Sequence, residues 1–100
     1  MTYKSKSMSS SKTDDNYYKR ADEVITLANK QCDDITPTKV NLSLMFASAR
    51  FSAFITATLA NDLDELKRDR EEAVKYFTEQ FAKMLNENID ENIKNYQKDN

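Results

Sequence analysis

Arg50 is the one charge in the stretch from Val40 to Ala60, where 14 of 21 residues are apolar. A guanidinium in such a wall has two uses. It can clamp a carboxylate or phosphate ligand through its planar fork. It can also close an internal ion pair, because an unpaired buried charge is very costly. If neighbouring segments run antiparallel, Arg50 comes level with Asp22 and Glu23 before it and with Glu72 after it. We expect an ion pair with one of these acids; an anion site at Arg50 is the alternative.

The other residue types close off chemistry. There is no histidine, which removes the commonest general base, the Ser-His and Cys-His nucleophile pairs, and most zinc and iron sites. There is no glycine, so neither a P-loop nor a dinucleotide fingerprint can be written. Cys32 is the one cysteine; it cannot form an internal disulfide and reads as a small half-buried hydrophobe near a helix end. The carboxylate pairs Asp14–Asp15, Asp33–Asp34 and Asp64–Glu65 are neighbours in sequence. Helix neighbours point about 100° apart, so these pairs do not converge as an acid and base or as metal ligands. No catalytic, metal or cofactor site is expected, and we read the chain as non-enzymatic.

Charge narrows the partners. The net charge is −2, with no basic stripe of the kind nucleic-acid binding needs. Lys67, Arg68 and Arg70 alternate with Asp69, Glu71 and Glu72, the pattern of a solvated helix face, so a nucleic-acid role ranks last. The N-terminus lacks the apolar run of a secretory signal. Val40–Ala60 is long enough to span a bilayer, yet Arg50 near its centre would cost roughly 2.5–3.5 kcal/mol there. The expectation is a cytoplasmic protein with no membrane span.

These residues must be positioned by helices. With no glycine, one proline and 32% charged residues, the composition is that of a soluble helical domain. Residues 1–13 are Ser- and Lys-rich without apolar periodicity and should be a disordered tail. Residues 14–100 form the single domain expected of this length. Its first helix should run from about 14 to 33, because Tyr18, Ala21, Ile25, Ala28, Cys32 and Ile35 recur at spacings of three and four. Thr36-Pro37 is a helix start, with Thr as cap and Pro at the first helical position. The second helix then spans about 37–60. Asp62 with Glu65 three residues on has the form of a capping box, opening a third helix over about 63–96. At 1.5 Å per residue the third helix would be on the order of 50 Å long, against roughly 35 Å for the second. Its end should overhang, and its Asn-rich last turns should fray unless something covers Ile89, Ile93 and Tyr96. Short connections make the fold an all-α, up-down-up arrangement of three antiparallel helices around the central apolar one.

On a wheel at 100° per residue the second helix has two apolar faces. Val40, Leu44, Ala47, Phe51, Phe54, Ile55 and Thr58 make a bulky one that looks like core. Leu42, Met45, Phe46, Ala49, Ala53, Ala57 and Ala60 make an opposite one, mostly alanine beyond its N-terminal end. Two opposed faces suit a helix held between its own chain and something else. We expect a homo-oligomer, a dimer with two-fold symmetry; the alternative is a flattened monomer in which the first helix covers one face and the third the other. The dimer's candidate interface is Leu42, Met45, Phe46, Ala49, Ala53 and Ala57, or the far end of the third helix at Ile89, Ile93 and Tyr96.

Two stretches carry a resemblance: Ala21-Asp22-Glu23-Val24-Ile25 with Leu27-Ala28-Asn29, and Ala49-Arg50-Phe51-Ser52-Ala53-Phe54. Over about Asn16 to Tyr96 the chain resembles a small proteobacterial family of helical proteins, the domain of unknown function 3144. The second motif there often reads Ala-Arg-Phe-Asn-Ala-Phe, and Ser52 departs from it. The resemblance implies a bacterial, cytoplasmic, helical protein and brings no activity, ligand or catalytic residue. The reading that results is a self-associating interaction or scaffold module, able to dock an unidentified protein partner. A small-molecule or anion-binding bundle built on Arg50 is the runner-up.

Overall fold

A computed structural model describes residues 14–99; the expected tail, residues 1–13, lies outside the described residues. The fold is all-α, with three helices in the order expected: α1 (Tyr17–Gln31), α2 (Pro37–Leu59) and α3 (Leu63–Asp99). The chain divides into two units, residues 1–59 with α1 and α2, and residues 60–100 with α3.

In the first unit α1 starts later than its acids suggest. Asp14 acts in the turn before the helix: its carboxylate accepts the Asn16 backbone N–H at 2.9 Å. It also accepts two bonds from the Arg20 guanidinium, at 3.2 and 2.8 Å. A short acidic side chain that bonds a backbone N–H two residues on offers the chain a turn in place of a helix. Helical geometry therefore begins at Tyr17. At the other end α1 closes at Gln31, two residues before the expected limit. The Cys32 N–H is shared between the Ala28 and Asn29 carbonyls, and Asp33 and Asp34 donate to Lys30 and Gln31. These i→i−3 bonds tighten the last turn and end the helix.

Thr36-Pro37 starts α2 as expected. The Thr36 hydroxyl accepts the Lys39 N–H at 3.4 Å, and the Thr36 carbonyl accepts from Lys39 and Val40 at 3.1 Å. Pro37 is the first helical residue, where no N–H is needed. Within the helix Thr56 and Thr58 donate their hydroxyls to the Ser52 and Phe54 carbonyls at 2.9 and 2.8 Å. Such back-bonding satisfies polar atoms without an outside partner, so α2 can set hydroxyls beside apolar faces. α1 and α2 pack together across an open groove lined by Val24, Leu27, Ala28 and Gln31 on one side and Ser43, Leu44 and Ala47 on the other.

In the second unit Asp62 caps α3 by accepting the Glu65 N–H at 2.8 Å. The reciprocal half of the expected box is displaced by one residue. Glu65 accepts from the Asn61 backbone N–H at 3.4 Å and the Asn61 side chain at 2.9 Å, fixing the residue before the cap. The Asn-rich end is helical to Asp99, not frayed. Asn88 and Asn92 turn their amides inward to the carbonyls four residues back, Met84 at 2.8 Å and Asn88 at 2.9 Å.

Candidate interaction surface

The sequence puts α2 at the hub, and the structure shows how much of it stays uncovered. On its bulky face Val40 is buried at 5% exposure; Leu44 and Ile55 are half-buried. Phe51 and Phe54 on that face are exposed, so the expectation of a closed core there needs correction: half of each ring stays in solvent. The opposite face is open along its length. Leu42 is 62% and Phe46 61% exposed, Met45 is exposed beside them, and Ala49, Ala53 and Ala57 are exposed further along. Leu42, Met45, Phe46 and the three alanines thus form one continuous apolar strip about four turns in length.

Arg50 stands on the rim of this strip. It is exposed, and its guanidinium carbon lies 4.8 Å from the centre of the Phe46 ring, one turn back. That is cation–π geometry. The expected pairing with α1 is not made: among the described residues no ion pair joins Arg50 to Asp22 or Glu23, and the acid–base contact in this unit is Asp14–Arg20 at 2.8 Å. The reason is solvation. A guanidinium left in water pays no desolvation penalty and needs no carboxylate, so its stem lies along the nearest ring. Asp22 and Glu23 are exposed on α1. Glu72 is exposed on α3 in the second unit.

The Asp14–Arg20 contact favours the charged form of both groups. Two hydrogen bonds from Arg20, then the Asn16 N–H, hold the Asp14 carboxyl below the usual carboxylate range. The same carboxylate raises Arg20, with a lesser contribution from Glu23. Sequence periodicity missed this pair because both residues are polar and six apart, a spacing that belongs to no regular helix contact; the Asp-x-Asn turn was the available signal. Both side chains are more than half exposed, so the contact anchors the start of α1 and makes no pocket.

Cys32 is free and half-buried at the C-terminal cap of α1, as its reading as a small hydrophobe near a helix end requires. Among the described residues no cluster of three acidic, cysteine or histidine side chains could hold a metal ion. On α3 the far-end stripe is exposed too: Ile89 and Ile93 by about half, and Tyr96 by 73%. By length and composition alone α2 could cross a membrane, although its apolar residues are interrupted by Arg50 at mid-length.

The motifs around Ala21 and Ala49 fall on α1 and α2, and the family model for "Protein of unknown function (DUF3144)" matches residues 17–93. The chain belongs to this family. The match starts at the first residue of α1 and takes in all of α2 and most of α3. No curated protein and no solved structure matches the chain.

Proposed function

We propose that this DUF3144 protein is a non-enzymatic, self-associating helical module of the bacterial cytoplasm, whose task is to present apolar helix faces to a protein partner, first of all a second copy of itself. The observation that carries this reading is the uncovered strip on α2. Leu42, Met45 and Phe46 are exposed side by side, with three exposed alanines continuing the same face. Moving a leucine and a phenylalanine that are more than half exposed into an apolar contact is worth roughly 1–2 kcal/mol each. A contiguous apolar face of this kind on a soluble protein marks an interaction site. The free thiol of Cys32 suits a reducing compartment.

The anion-binding alternative loses its footing with Arg50. A ligand-clamping arginine is held in a concave, largely apolar pocket with other polar groups converging on it. Arg50 instead lies on a convex helix rim against Phe46, and the groove between α1 and α2 does not include it. The test of the proposed function is light scattering of the purified chain from about 5 to 100 μM, the range in which an interface of modest size assembles. A dimer that dissociates on dilution supports it; a monomer throughout, with helicity intact, overturns it.

A further inference from the structure

We infer that the occupant of the α2 strip is the α2 strip of a second copy, laid antiparallel about a two-fold axis between Ala49 and Ala53. This deepens the self-association reading and rests on it. The inference comes from the way bulk is distributed along the strip. Leu42, Met45 and Phe46 stand at its N-terminal end, all exposed; Ala53 and Ala57 are exposed at its C-terminal end. A face that is raised at one end and flat at the other is complementary to itself when reversed. In an isologous pair residue i meets residue j and j meets i.

The wheel fixes the register. Ala49 and Ala53 lie close on either side of the angular position that Leu42 marks. Reversed on itself, the helix puts Ala49 on the partner copy's Ala53 position and Leu42 just past the end of the partner helix, which closes at Leu59. Phe46 then falls on the Ala57 position along one rim, and Met45 on the Thr56 position along the other. Phe46 and Met45 each meet a small side chain, and the small residues at the axis let the two backbones approach closely. A parallel pair would stack Phe46 and Met45 on their own copies at one end and hold the alanines apart at the other. The Thr56 hydroxyl is bonded back to the Ser52 carbonyl at 2.9 Å, so it can enter the contact without leaving that donor stranded. Arg50 lies at the rim, exposed, with its guanidinium over Phe46, where it shields the ring edge and stays in water.

Leu42, Met45 and Phe46 are each about half or more exposed, so the pair is held by a small apolar contact, below the roughly 1,200 Å² at which standard specific interfaces begin. That size fits association in the micromolar range.

The experiment has two arms, both on the full chain. Ala53→Glu sets a charge at the two-fold, and Ala53 is exposed in the single chain, so helicity by circular dichroism should be retained while dimerisation weakens by about 30-fold or more. The second arm leaves the strip intact. With Cys32→Ser as background, a spin label at Asn41→Cys on the rim reports the distance between copies: about 30 Å if the helices are antiparallel in this register, about 10 Å if they are parallel. A dimer that ignores Ala53→Glu, or labels at the short distance, overturns this inference and leaves self-association standing. A wild-type chain that is monomeric in light scattering overturns both. Flotation with lipid vesicles in place of dimerisation would likewise contradict it.

Discussion

At the scale of single residues, charges in this chain settle where water and a neighbouring group suffice, not where the apolar pattern points. Arg50 is the clear example. Its place in an apolar run reads as a buried cation needing an acid, yet its side chain is exposed and rests on Phe46. Composition along a helix does not say which side faces solvent, so the partner could not be read from sequence. We expect Arg50→Met to change the unfolding free energy in urea by less than about 1 kcal/mol, the scale of an exposed cation–π contact; a loss above about 3 kcal/mol would mean that the guanidinium closes a buried pair. Asp14 is the opposite case: one of an adjacent carboxylate pair from which no chemistry was expected, it forms the turn before α1. Arg20 and the Asn16 N–H depress its pKa. A depressed carboxyl favours the folded arrangement while it is ionised, so its contribution is present above the ordinary carboxylate range and is lost as pH falls through the lower folded value. The Asn16 amide proton resonance should therefore titrate below that range in the wild type and stay flat in Asp14→Asn.

At the scale of elements, the boundaries carried by capping chemistry were legible and those carried by periodicity alone were not. Thr36-Pro37 and Asp62 with Glu65 mark helix starts because each supplies an acceptor for a backbone N–H that the helix cannot satisfy itself, and α2 and α3 begin where these residues place them. The start of α1 lay three residues beyond its acids because Asp14 bonds a turn. The end of α3 outlasted its weak helix formers because Asn88 and Asn92 bond the carbonyls behind them. The distances rank the caps. The Asp62 contact is 2.8 Å and the Thr36 contact 3.4 Å, so Asp62→Ala should cost about 1 kcal/mol and Thr36→Ala distinctly less. Urea unfolding of the two variants checks the order; equal losses, or a larger one at Thr36, would break it.

At the scale of the whole molecule, the three-helix, all-α composition of the described residues was legible. The extent to which the apolar faces of α2 stay open was not, because a sequence shows that residues are apolar and not what covers them. Val40 in the first unit and Ala73 in the second are the buried apolar residues among those described, while Leu42, Phe46, Ile89 and Ile93 remain in solvent. On the proposed self-association, a chain with so little buried surface of its own would draw stability from a second copy. Its midpoint of thermal unfolding should therefore rise by several degrees over a hundredfold increase in protein concentration, as mass action requires for a folded dimer; a midpoint independent of concentration would argue for a self-sufficient monomer. The central claim, that a DUF3144 chain works as a self-associating module, is met most directly by its mass in solution. Multi-angle light scattering at about 50 μM, where an interface of this size should be populated, is expected to give the mass of two chains; the mass of one, from protein that is fully helical by circular dichroism, would contradict it.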